Sequence, residues 1–364
     1  MVDTMALLPP FIRTARTPRR PSHLAAGLPA DDEVLLDAPD ERLAPALVAA
    51  GRGDHGPAAE LLATTRKAAE WEDRDRYVTR LAAFARSREE WLGDWCAAAP
   101  DDPDALLVKA ELAVARGWAS PARSELLREV GPLIAAAAEG NPRDPVPWRV
   151  ALDHARGTDA GHAEFERLWT EAVRRSPYHY GCHVAALQYL SAACRSQCRS
   201  RCGDTRHTRH GSHGECFDFA ETAAQDTLPD SLVQALPVRA AFACLTESGG
   251  ARVGRDRLDA AADRAIALSS RYAEADPWPA EVRNLLTYVL VELERWEDAW
   301  TQLRMIGPFA TSAPWDRISE DPLGRFLEVR DGVRRHVTRA RTRHSARPLL
   351  PRSERAGHAR ASGH

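Results

Sequence analysis

The chain has 364 residues, 44% hydrophobic and 28% charged, with 49 basic and 52 acidic side chains for a formal charge of −3. That describes a soluble globular protein, long enough for one extended domain or two compact ones, and it excludes a chain that is basic all over and coats nucleic acid. The longest uncharged apolar stretch, around Leu133–Ala138, is far too short to span a bilayer, and seven cysteines without a secretory leader read as the reduced thiols of a cytoplasmic protein.

Residues 1–30 are rich in Pro, Arg and Ala without periodicity, and they predict a disordered arm. Pro9 and Pro10 interrupt the one apolar run there, so no secretory h-region is expected. Only Lys67 and Lys109 are lysines, a bias that reads as a GC-rich genome rather than a use for arginine. "EWEDRDR" (70–76) alternates in sign and reads as a solvated helix face. "DALLVKAELAVARG" (104–117) places Leu106, Ala110, Ala113 and Gly117 at helical spacing. "ESGGARVGRD" (247–256) has three glycines and reads as a flexible connector. "RNLLTYVLVELERWEDAWTQL" (283–303) spans two helices joined near Glu294–Arg295. Trp91/Trp95 and Trp296/Trp300 pair at i,i+4. No run of alternating β-branched residues announces a strand, so the class is all-α. Residues 331–364 carry nine arginines against Asp331 and Glu354 and predict a disordered basic tail.

Five prolines, Pro103, Pro145, Pro177, Pro229 and Pro277, each follow one helical run and precede another. Twelve residues before them stand Trp91, Leu133, Phe165, Phe217 and Ala265. Five before them stand Ala98, Gly140, Ala172, Ala224 and Tyr272. A small residue late in one helix and a proline opening the next let paired helices approach closely. Such hairpins bury their apolar faces only by stacking on neighbours.

This pattern resembles tetratricopeptide repeats, with Phe165 and Phe217 where that family usually has Ala. "SPYHYGCHVAALQYLSA" (176–192) with "GSHGECFDFAETAA" (211–224) further resembles an uncharacterised family of actinobacterial tetratricopeptide-like proteins, whose block reads "HHxxAHxxALQYWCAKWHGSHExMFxFAxxAA". The shared positions are His179, His183, Leu187, Gln188, Tyr189, Gly211, Ser212, His213, Phe217, Phe219 and Ala220. The resemblance implies a fold and no established activity: a right-handed α-solenoid of about five degenerate hairpins over residues 31–330.

One segment interrupts the repeat. Pro177 to Pro229 is 52 residues where Pro145 to Pro177 is 32, and removing residues 193–210 restores a period of 34. The inserted loop carries "CRSQ-CRSR-C" and "TRH-TRH" micro-repeats, as local DNA slippage produces. A metal reading would use Cys194, Cys198, Cys202, His207, His210 and Cys216 as zinc ligands. Against it, three sulfurs in a column do not close a tetrahedron without a return strand. A nucleic-acid reading would use Arg195, Arg199, Arg201, Arg206 and Arg209, but no aromatic is interleaved for stacking.

No Walker-type loop, dinucleotide glycine fingerprint, H-E-x-x-H or G-x-S-x-G is present, so no catalytic residue and no cofactor are expected. The expected function is a cytoplasmic interaction scaffold holding a protein or peptide partner in a concave helical groove, through His179, His183, Gln188 and His213. The alternatives are a zinc- or nucleic-acid-binding protein acting through residues 194–216, and an enzyme using the three histidines.

Overall fold

The computed structural model describes residues 27–191, 213–246 and 253–345. Among them regular structure is helical apart from two two-residue strands, β1 (Leu35–Leu36) and β2 (Phe309–Ala310), so the all-α class is correct. The helices α1 (Leu43–Ala50), α2 (Gly56–Ala68), α3 (Trp71–Ala85) and α4 (Glu90–Ala98) come first. Ala69 ends α2 in the left-handed region, at φ 57°, which turns the chain straight into α3. In α5 (Pro103–Ala119) the cap is Asp102, whose carboxylate accepts from the Asp104 N–H. Pro103 follows at a position where a backbone N–H would have had no intrahelical acceptor.

After the short α6 (Arg123–Arg128) come α7 (Gly131–Glu139), α8 (Val146–Gly157), α9 (His162–Arg175), α10 (Tyr180–Leu190) and α11 (His213–Gln225). A 3-10 turn, Leu232–Ala235, leads into α12 (Leu236–Thr246), followed by α13 (Arg255–Ser269), α14 (Ala280–Glu292) and α15 (Trp296–Ile306). The chain closes with α16 (Pro322–Ser345).

Packing follows chain order. α5 lies on α7, α8 on α9, α10 on α11, α12 on α13 and α14 on α15. The first members of these pairs also touch in sequence, α3 to α5, α5 to α8, α8 to α10, α10 to α12 and α12 to α14. The five prolines stand at or just before α5, α8, α10, the 3-10 turn and α14. Gly140 shows why a small residue stands five positions ahead: a Cβ there would lie 2.2 Å from Cβ of Pro103. Ala172 and Ala224 are fully buried, whereas Ala98 is exposed, so close approach is needed at some of these positions only. The core falls into two clusters that meet on α10, with Ala185 and Ala186 in the first and Leu187 in the second.

The two ends of the array are joined. β1 pairs in parallel with β2, with Leu35 opposite Phe309 and Leu36 opposite Ala310. Arg80 donates to Asp37 (3.0 Å), whose carboxylate also accepts from the Ser312 N–H (3.0 Å), and Arg76 lies over the Trp278 ring at 5.5 Å. The two ends of the row α3, α5, α8, α10, α12 and α14 are thereby brought together.

Both tail boundaries move. Residues 331–345 of the expected disordered tail belong to α16, where Phe326, Arg330, Val333 and Val337 recur at helical spacing and are buried. Arg330 reaches the Pro29 carbonyl at 3.1 Å, tying α16 to the end of the expected arm. Residues 1–26 and 346–364, 192–212 with the expected inserted loop, and 247–252 of the expected connector lie outside the described residues.

Candidate functional site

A cavity of about 630 Å³ lies along this row, and α3, α5, α8, α10, α12 and α14 each contribute to it. α3 supplies Glu72, Asp75, Arg76, Thr79 and Arg80, at the i, i+3, i+4, i+7, i+8 positions of one face. This corrects the reading of 70–76 as a solvated face. Arg74, on the opposite side of the same turns, is 1% exposed and donates to Asp104 and Asp144 at 2.6 Å each and to the Leu62 carbonyl at 2.9 Å. A charge run on a helix between two packed layers satisfies buried groups on one side and lines the cavity on the other.

Arg149 of α8 organises the cavity's acidic end. It donates to Asp75 Oδ1 (2.8 Å), Glu111 Oε2 (2.7 Å) and Asp153 Oδ2 (3.3 Å), and to Thr79 Oγ1 (3.3 Å). Burial works against its charge, but Asp75, Glu111 and Asp153 outweigh that and hold it well above the ordinary arginine value. Burial pushes the Glu111 carboxyl up, against the pull of Arg149, and it pushes Glu72 up as well. On the opposite wall Arg239 of α12 donates to the Tyr180 hydroxyl (2.5 Å) and to Glu281 of α14. Both signs of charge are therefore held in fixed pairs around the space.

A second cavity of about 460 Å³ adjoins the first and shares Val184, Gln188, Arg239 and Ala313 with it. Its wall carries Arg123, Arg156 and Arg317 together with buried Leu187, Phe242 and Leu285.

Of the four residues expected to bind a partner, Gln188 lines both cavities. His179 is buried as the cap of α10, its Nδ1 accepting from the Cys182 N–H at 3.2 Å. That leaves the ring proton on Nε2, 3.3 Å from the Trp71 carbonyl. Burial opposes a second proton, while Cys182, Glu72 and Asp75 favour one and raise the pKa; taking it would cost the cap. His183 is buried too, donating from Nδ1 to the His179 carbonyl (2.9 Å) and meeting the Trp169 ring edge-on at 5.0 Å. Burial pushes its pKa down, so it is neutral at pH 7. His213, at the start of α11, is buried. The three histidines thus sit in the packing around α10, and the cavity wall there is Tyr180, Gly181, Val184, Ala185 and Gln188.

Cys182 Sγ lies 3.2 Å from His179 Nδ1, the separation of a thiol–imidazole pair, but the thiol is buried and touches neither cavity. Burial also pushes it up, away from the thiolate a nucleophile needs. Of the proposed zinc ligands, Cys194, Cys198, Cys202, His207 and His210 lie outside the described residues. Cys216 is buried on α11 with its thiol donating to the Leu190 carbonyl (3.2 Å). Among the described residues no group of three or more His, Cys, Asp or Glu is arranged to hold a metal, and none of the described helices is long and apolar enough to cross a membrane.

The residues that sequence reasoning missed are Glu72, Asp75, Glu111, Arg149, Arg239 and Glu281. The signal was charge recurring on α3, α5, α8, α12 and α14, at positions where a solvated face and a cavity wall look alike in one dimension. Comparison of the chain with protein-family models, with curated proteins and with solved structures gives no match in any of the three.

Proposed function

We propose that the chain is a right-handed, tetratricopeptide-like α-solenoid of about five hairpins that serves as a cytoplasmic interaction scaffold without catalytic activity, holding a short segment of a protein partner in the larger cavity. The repeat reading is supported by the order of helix contacts and by the prolines that precede the inner helices. The observation that carries the functional reading is that all six inner helices converge polar side chains on one space, already locked in ion pairs before a ligand arrives. Such pre-organisation lowers the entropic cost of binding. A volume of about 630 Å³ is that of a small-ligand cleft, so it admits a few residues of an extended segment rather than a folded domain. Gln188, between the two cavities, is the residue placed to meet the ligand's main chain.

The test is site-specific photocrosslinking in cells from position 188, with the exposed position 48 on α1 as control. A single partner that crosslinks from 188 and not from 48, and whose yield falls in Arg239→Gln, is the expected result. Identical species from both positions would refute the proposal.

A further inference from the structure

The smaller cavity has a charge balance that the partner reading does not use. Four arginines line it: Arg123, Arg156, Arg239 and Arg317. Arg123 faces Asp159 (3.5 Å), Arg156 holds Asp153 (3.2 Å) and Arg239 holds Glu281. Arg317 lines the cavity, is exposed, and makes no side-chain hydrogen bond or ion pair with any described residue. Burial, then Arg239 and Arg156, hold its guanidinium below the ordinary value in spite of Asp316 and Glu281. Two further donors in the same wall, Arg156 Nε and Trp118 Nε1, have no acceptor among the described residues. Trp118 lies between Arg123 and Arg156, at 4.7 and 4.4 Å from its ring. Much of the remaining lining is aliphatic or aromatic and buried: Leu187, Ala240, Phe242 and Leu285.

We propose that this cavity binds a small organic acid, one carboxylate on an apolar body of medium-chain size, with the carboxylate on Arg317 beside Arg156 and the body against Leu187, Phe242 and Leu285. One guanidinium without an ion pair among the described residues matches one negative charge, and its fork suits a planar carboxylate. A phosphate dianion would need a second cation without an ion pair, and the described residues of the wall supply one only. A volume of about 460 Å³ lies within the range of pockets that enclose such ligands. The site does not depend on a partner segment in the larger cavity, and either proposal can fail alone.

The test is calorimetric titration of the full chain with sodium octanoate, 1-octanol, octyltrimethylammonium, octyl phosphate and acetyl-Leu-Leu as separate probes. Octanoate is expected to bind at one site, with the neutral and cationic analogues weaker by roughly tenfold or more, the size of a charge-assisted contact. Arg317→Gln should weaken octanoate by a similar factor without changing the melting temperature, and Ala243→Phe, which fills the cavity, should abolish binding. Equal affinity for octanol, no saturable octanoate binding, or an Arg317→Gln variant with unchanged affinity would overturn the proposal. Tighter binding of octyl phosphate would overturn the carboxylate assignment, and tighter binding of acetyl-Leu-Leu would overturn the free-acid source. The ligand series on the wild-type chain decides the question even if a variant misfolds.

Discussion

Replacing Arg74 with Met should be among the most damaging single changes in the first half of the chain. The guanidinium is 1% exposed and neutralises Asp104 and Asp144, which are themselves buried. Asp104 keeps a second cation in Arg66 (3.1 Å), but Asp144 is left with the Val146 N–H (2.9 Å) as its remaining described donor. Removing one member of a buried charge cluster costs about 3–5 kcal/mol, because the surviving carboxylate stays desolvated without a counter-charge. At ~2 °C per kcal/mol for a large chain, the melting temperature should fall by about 6–10 °C. Asp144 already has its carboxyl pushed up by burial, against the pull of Arg74. Without Arg74 it rises further, so protonation relieves part of the penalty and the deficit shrinks as pH falls from 7 towards 5. The double variant Arg74→Met, Asp144→Asn should recover much of the loss. Urea unfolding followed by tryptophan fluorescence reads all of this, with Trp91 and Trp95 buried in the same core cluster. A loss below about 1 kcal/mol at pH 7 would refute the picture of an obligatory buried cation.

Three further substitutions extend the test, two on α10 and one on α4. Gly181→Ala would put a Cβ 2.0 Å from Asp75 Oδ2, forcing Asp75 off Arg149, and should cost about 1–3 kcal/mol in thermal unfolding. Gly93→Ala, with nothing within 4 Å of its Cβ in mid-helix α4, should instead gain about 0.5–1 kcal/mol, and a matching loss at both sites would show that the contact at 181 is not the cause. His183 is neutral when folded and has its pKa below the unfolded value, so its contribution is complete above about pH 6.5. Below that the unfolded chain takes the proton first and stability falls with pH. Comparing melting at pH 7.5 and 5.5 in wild type and His183→Phe checks this: the acid-induced loss should be smaller in the variant, and an equal loss would refute it.

How much of this was legible before folding differs from feature to feature. The junction at Glu294–Arg295 was readable, and Glu294 takes the left-handed conformation between α14 and α15. Pro103 and Gly140 were readable as opener and small neighbour, and they touch. In α16 the stripe Phe326, Val333 and Val337 was present but outweighed by the density of arginine, since composition alone does not say which face a charge occupies. His179 and His183 stood out as polar residues in an apolar helix, a signature shared by ligand-binding and capping groups. Only burial and the bond to the Cys182 N–H separate the two.

Helicity and the helix boundaries near the five prolines were determined by the chain's own order of apolar, small and proline residues, because these rest on contacts between neighbours in sequence. The closure of β1 on β2, the Arg74 and Arg149 clusters and the place of Arg317 in the smaller cavity were decided only by tertiary structure. Each joins residues far apart in the chain, as Leu35 is from Phe309, Asp75 from Arg149 and Arg156 from Arg317. The energy of a charge depends on which groups surround it in space and how much water remains, and neither is written in local spacing.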